Sequence, residues 1–234
     1  MRKYARQKEK SLVINVVLVL FAIIMLAVLS STAYEIINRV NQYEAARLEY
    51  TQLRNELGVI KIETLQLPEK PTYQEAKAYN SAWQIKLYTV ASTNPNVVGW
   101  IEIPDTSINY PIVQGDDNCW YLYRTISGQS NPSGAIFLDY RNSPGFGDLH
   151  SLIYGHNMRD GSMFAGLHTW SGGLFFIHTA DGSLEFEVFN REIVCQYDDV
   201  FVLPGIVLDD ALVVTLSTCM FGNDDLRYVV QGRR

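Results

Sequence analysis

At 234 residues the chain has room for one or two domains, and with 47% of its residues apolar it can bury a sizeable core, which excludes a disordered tail. Five of the 19 Lys+Arg and one of the 25 Asp+Glu lie in the first 11 residues, so the remainder carries 14 basic against 24 acidic groups, and that sign excludes nucleic acid as a partner. Three cysteines are few for an exported protein and cannot all pair internally, so at least one thiol stays free or pairs outside, while a Cys119 to Cys195 bridge stays open.

In chain order, Arg2, Lys3, Arg6, Lys8 and Lys10 against Glu9 alone make residues 1–11 a basic tail. Residues 12–29 are apolar apart from Asn15, a run long enough to cross a hydrocarbon core. The positive-inside bias holds the N-terminus in the cytoplasm and puts everything after about residue 31 outside. Ser31-Thr32-Ala33 also fits the cleavage site of a secretory signal, but the apolar run exceeds the usual signal core and favours an uncleaved single-pass anchor over residues 12–31.

Residues 35–56 alternate apolar positions (Ile36, Ile37, Val40, Tyr43, Leu48, Leu53) with charges and contain no Pro or Gly, which is helical spacing. Two prolines break the pattern within 65–71, and residues 73–89 read as a second helix with Ala76, Tyr79, Ala82, Trp83 and Leu87 on its apolar side. Residues 32–92 are thus expected to be a juxtamembrane helical segment. From Val97 the period changes to short apolar or alternating runs between Pro, Gly, Asn and Asp. Strands are expected near 97–103, 108–114, 134–139, 151–154, 174–179, 184–189, 193–197, 212–216 and 227–231, with a helical turn at 162–167. Short strands at this spacing predict a mainly β domain over 93–234, closed into a barrel of about eight strands. Cys119 is expected in a short strand, and Cys195 buried within the strand at 193–197.

Thr215-Leu216-Ser217-Thr218-Cys219 runs off the apolar stretch Leu212, Val213, Val214, and Arg227 opens the next strand. A cysteine at a strand end with a fixed positive charge on the following strand is the layout of a nucleophile with an oxyanion partner. A thiol also needs an acid/base, and Tyr154-Gly155-His156-Asn157-Met158 offers a histidine on a loop. His150 and His168 have loop or surface neighbours, and His178 alternates out of the Phe175-Phe176-Ile177 strand, so each is expected to be solvated or hydrogen-bonded. The histidine spacings give no helical metal pair and the cysteines no CxxC, so neither a metal nor a cofactor is expected. Ser217, two residues before Cys219, shares its face in an extended strand.

The Thr215 to Cys219 block with Arg227, together with the block from Tyr154 to Phe164, resembles the sortases, and the second block resembles class B in particular. Further matches run through Asn94-Pro-Asn-Val-Val-Gly-Trp-Ile101, Ile108-Asn-Tyr-Pro111 and Gly134-Ala-Ile-Phe-Leu-Asp-Tyr-Arg-Asn142, so the resemblance covers roughly residues 94–231. It implies a sortase-type barrel preceded by helices, with Cys219, His156 and Arg227 catalytic and Ser217, Thr218 and Asn157 toward the substrate. It further implies cleavage of an NPxTN-like C-terminal sorting signal on exported proteins. The new C-terminus would pass through a thioacyl-enzyme to an amine of a peptidoglycan cross-bridge or its lipid-linked precursor. A pilus-type enzyme using a pilin lysine, and a membrane-anchored cysteine hydrolase, are the alternatives. One departure is visible: His156 and Cys219 are 63 positions apart, shorter than class B implies, and the connection before the nucleophile strand is reduced to residues 198–210.

Overall fold

The computed structural model describes residues 2–58, 72–203 and 210–234, in two compact units divided between Glu44 and Ala45. The proline-marked stretch at 65–71 and, within the connection at 198–210, residues 204–209 lie outside the described residues; the start of that connection holds a 3-10 turn over Asp199–Phe201. Helix α1 (Arg2–Glu56) makes up the first unit and ends in the second. The apolar run and the amphipathic stretch at 35–56 form one continuous element, because no Pro or Gly interrupts them before Gly58. Among the described residues it is the one helix long and apolar enough to cross a membrane. Ile14, Leu18, Phe21 and Leu26 all stand exposed, and a helix that is apolar on every side without burial is compatible with a single-pass anchor. At its polar end the Ser30 and Thr32 hydroxyls donate to the carbonyls of Ala27 and Val28, which satisfies them without water.

In the second unit, helix α2 (Tyr73–Thr93) starts on a capping box: the Thr72 hydroxyl accepts from the Glu75 N–H, and the Glu75 carboxylate accepts from the Thr72 N–H. Trp83, Leu87 and Val90, spaced i, i+4, i+7, are buried. Each side chain withdrawn from water contributes about 1.5–3 kcal/mol. The Trp83 ring stacks on His178 at 3.8 Å between centroids, and His178 is itself bonded to Ser183 Oγ and Glu102 Oε2. His178 is therefore buried between helix and barrel rather than solvated.

The eight strands are β1 (Val97–Glu102), β2 (Asn109–Val113), β3 (Ile136–Leu138), β4 (His150–Tyr154), β5 (Leu174–Thr179), β6 (Gly182–Cys195), β7 (Val213–Met220) and β8 (Asn223–Arg233). They close into a mixed barrel in the order β1-β2-β3-β4-β7-β8-β6-β5, with β2–β3 and β4–β7 parallel and the remaining pairs antiparallel. Trp100, Ile112, Leu138, Leu152, Phe175, Phe186, Leu216 and Val230 fill the core. Gly232 is required where β8 crosses the stacked Phe175–Phe186 pair, since a Cβ there would lie 2.4 Å from the Phe175 ring.

Three local expectations differ from the structure, and His150 takes the hydrogen-bonded of its two expected states, buried at a strand start. The segments at 184–189 and 193–197 are one strand, β6, whose register slips between Val188 and Asn190; the bulge absorbs the polar interruption that looked like a turn. Cys119 lies in a bend, because the Asp117 carboxylate accepts from the N–H groups of Cys119 and Trp120 and curls the chain. Cys195 ends β6 exposed, and all three cysteines are free thiols. His150 opens β4 and is buried, with Nε2 2.8 Å from the Thr215 hydroxyl.

Candidate active site

Strands β7 and β8 place Cys219 directly opposite Arg227, the last regular pair before the register breaks between Cys219 and Met220. Parallel pairing of β4 with β7 sets Tyr154 against Ser217, and the Gly155 N–H donates to the Ser217 carbonyl. His156 therefore leaves the barrel beside the end of β7, which carries Cys219, despite its distance in sequence. Gly155 makes this exit possible: a Cβ there would meet Ile136 at 2.4 Å and the Phe164 ring at 2.8 Å. The Phe164 N–H then donates to the His156 carbonyl, folding the following loop back over the site.

His156 Nε2 lies 2.6 Å from the carbonyl oxygen of Leu122. A carbonyl can only accept, so Nε2 carries the proton and the neutral ring keeps its lone pair on Nδ1. Burial pushes the His156 pKa below its ordinary value; the Leu122 bond opposes this, and the positive charge of Arg227 adds to it. The resting imidazole is accordingly neutral at pH 7, with Nδ1 the nitrogen able to take a proton. Tyr123 flanks the ring at 5.8 Å. Leu122 and Tyr123 belong to the excursion between β2 and β3, which Gly134 holds in place: its φ is +59°, and a Cβ would lie 2.5 Å from the Leu122 oxygen. The Gly134 carbonyl in turn accepts from Tyr50 at 3.0 Å.

Arg227 is held by three acceptors. Nη1 donates to the carbonyls of Asp224 at 2.6 Å and Leu226 at 3.0 Å, and Nη2 donates to Gln196 Oε1 at 3.1 Å. Gln196 is fixed by Asp225, whose carbonyl accepts from its N–H and whose carboxylate accepts from its Nε2. Of the five N–H donors of a guanidinium, two remain for an incoming anion.

Ser217 and Thr218 are buried, and their hydroxyls have no hydrogen-bond partner among the described residues. Asn157 Nδ2 donates to the Cys219 carbonyl at 2.9 Å and lies 2.9 Å from His168 Nε2. The structure thus gathers Cys219, His156, Arg227, Ser217, Thr218 and Asn157 at one end of β4, β7 and β8. It adds three participants that sequence reasoning missed: the Leu122 carbonyl, Gln196 and His168. The first is main chain and leaves no mark in a sequence. His168 has loop or surface neighbours in the chain, and Gln196 sits in the expected strand at 193–197, where nothing local says that it meets Arg227.

The family model for the sortase domain matches residues 101–234. A sortase B of Listeria monocytogenes is 41% identical over 108 residues, which is 46% of this chain and 44% of that protein, so the match spans less than half the length of the curated relative. Among solved structures, sortase B from Bacillus anthracis in complex with AAEK1 is 25% identical at a TM-score of 0.62, covering 82% of this chain and 97% of that one. A Streptococcus pyogenes class B sortase involved in pilus biogenesis is 27% identical at a TM-score of 0.57, covering 64% and 97%.

Proposed function

This chain belongs to the sortase family, with its resemblances in class B, and within it we propose a membrane-tethered cysteine transpeptidase acting on the outer side of the membrane. The observation that carries the reading is the pairing of Cys219 with Arg227 across β7 and β8, with a neutral His156 leaving β4 alongside. In the first half-reaction, His156 Nδ1 takes the Cys219 proton as sulfur attacks the scissile carbonyl of the sorting signal. The tetrahedral oxyanion meets the two uncommitted N–H groups of Arg227. Collapse breaks the C–N bond, and the proton on Nδ1 goes to the departing amine, leaving the thioacyl-enzyme.

In the second half-reaction an amine from a peptidoglycan cross-bridge or its lipid-linked precursor attacks the thioester. Nδ1 accepts its proton, and as the C–S bond breaks that proton passes to sulfur, returning the thiol and the neutral ring. Ser217, Thr218 and Asn157 are assigned toward the substrate by the resemblance; of these, Ser217 shares the Cys219 face of β7, and its buried hydroxyl has no partner among the described residues. The apolar run over residues 12–31 supplies the anchor, and the basic residues before it keep the N-terminus in the cytoplasm. Exported proteins held at the same membrane are then within reach.

The test is intact-mass detection of an acyl adduct after mixing the full chain in detergent micelles with an NPxTN-containing peptide. The adduct should form with Cys119→Ala and Cys195→Ala, vanish with Cys219→Ala, and discharge faster when a glycine-peptide amine is added. An adduct on Cys219→Ala refutes the assignment, and discharge to water alone makes the protein a hydrolase. The likeness to a sortase involved in pilus biogenesis supports a second reading, in which the acceptor is a pilin lysine. Comparing a lysine side-chain amine with a glycine N-terminus as acceptor separates the two.

A further inference from the structure

The loop after His156 doubles back on itself: Asn157 bridges Met163, and a 3-10 turn over Ala165–His168 returns the chain to the site. His168 arrives there with two contacts. Its Nε2 lies 2.9 Å from Asn157 Nδ2, and its ring stacks on Tyr228 with centroids 4.7 Å apart. Tyr228 stands opposite Thr218 in β8 and follows Arg227. One imidazole therefore touches both the loop that carries His156 and the strand that carries Arg227.

The direction of the Asn157 bonds is fixed by the carbonyl at their far end. Cys219 O can only accept, so the Asn157 atom 2.9 Å from it is the amide nitrogen. That nitrogen has two N–H groups and no acceptor capacity, so its second contact is also a donation and His168 Nε2 receives it. The amide oxygen is buried and has no partner among the described residues. The orientation of the amide is thus determined by two acceptors, Cys219 O and His168 Nε2. Removing the second strands an N–H beside an already unpaired oxygen and leaves the single bond to Cys219 O to hold the amide in place.

We infer that His168 is a positioning residue: by accepting from Asn157 it locks the amide that holds the backbone of Cys219, and so sets the spacing of the sulfur from His156 and Arg227. The inference rests on Cys219 being the nucleophile.

The test uses the full chain in micelles and iodoacetamide, with alkylation followed separately at each cysteine by mass spectrometry. Exposed Cys119 and Cys195 serve as internal references. His168→Phe keeps a ring against Tyr228 but has no acceptor, whereas His168→Gln puts an acceptor near the Nε2 position and loses the stack. Loss of one such bond is worth about a fivefold change. Cys219 alkylation should therefore slow about fivefold or more in the Phe variant, stay within about twofold of the parent in the Gln variant, and leave both reference thiols unchanged. Turnover of the NPxTN peptide should fall in kcat rather than KM in the Phe variant. A Phe variant as fast as the parent at Cys219, or Phe and Gln variants slowed equally, overturns the inference. Persistence of peptide turnover in Cys219→Ala would instead overturn the underlying assignment of the nucleophile.

Discussion

Lowering the pH should unlock the barrel at His150, where β4 begins. Its ring is buried, Nε2 bonds the Thr215 hydroxyl, and Nδ1 has no partner among the described residues, so a second proton would place an N–H and a charge where nothing receives them. Burial accordingly pushes the pKa down from 6.5 to about 4. Below 6.5 the unfolded chain takes up this proton while the folded chain refuses it. The stabilisation is thus complete above 6.5 and drains away as the pH falls toward 4. At about 1.4 kcal/mol for each pH unit, that interval amounts to about 3 kcal/mol. His150→Gln retains a polar atom near the Nε2 position but cannot titrate. Urea unfolding of the full chain in micelles, followed by tryptophan fluorescence at pH 7 and pH 4, gives the loss for each protein. The parent should lose about 3 kcal/mol more than His150→Gln between those pH values. His156 and His178 also have pKa values lowered by burial, but they contribute equally to both proteins and cancel in the difference. Equal losses in parent and variant would refute the reasoning.

Further outcomes follow from the site itself. Arg227→Lys keeps the charge but not the fork bound by Asp224, Leu226 and Gln196, so steady-state acylation should fall about 10²-fold with melting within a few degrees of the parent; near-parental turnover would remove Arg227 from the oxyanion role. Gln196→Ala frees one end of that guanidinium and should slow acylation by less than Arg227→Lys does, and an equal or larger loss would contradict the proposed hierarchy. Gly134→Ala forces a side chain into a positive φ and against the Leu122 oxygen, which should cost about 1–3 kcal/mol in denaturant unfolding and also slow acylation by displacing the acceptor of His156. Because burial lowers the His156 pKa and the reaction starts from the neutral ring, the acid limb of kcat/KM should have its midpoint below 6.5, and a midpoint at or above 6.5 would contradict a buried base.

Much of the architecture was legible because strand periodicity and turn residues are local properties. The runs read as strands from Val97, Ile108 and Leu174 are β1, β2 and β5, with β2 starting one residue later at Asn109. Where a strand must bend, the same signal misleads: Asn190 and Arg191 look like a turn, yet a bulge carries β6 straight through them. The approach of His156 to Cys219 was readable only by resemblance, since nothing local says that β4 pairs with β7. His150 and His168 sit among loop-like neighbours, and their burial or placement is decided by Thr215, Asn157 and Tyr228, far away in the chain. Gln196 is similar, since its value lies in the partner it faces across β6 and β8.

The parallel pairing of β4 with β7 also governs when the site can exist. A chain folding in order of synthesis completes β1 to β4 while the far edge of β4 is still open, and β5 and β6 must form before β7 is reached. Closing so long a loop is slow compared with local pairing, so the barrel seals late. Until it does, the thiol has no imidazole beside it, although Arg227 can already face it across the local β7–β8 hairpin. On the proposed reading, Cys219 therefore gains its base only in a late step of folding, and a half-made chain carries the thiol without the histidine that would activate it.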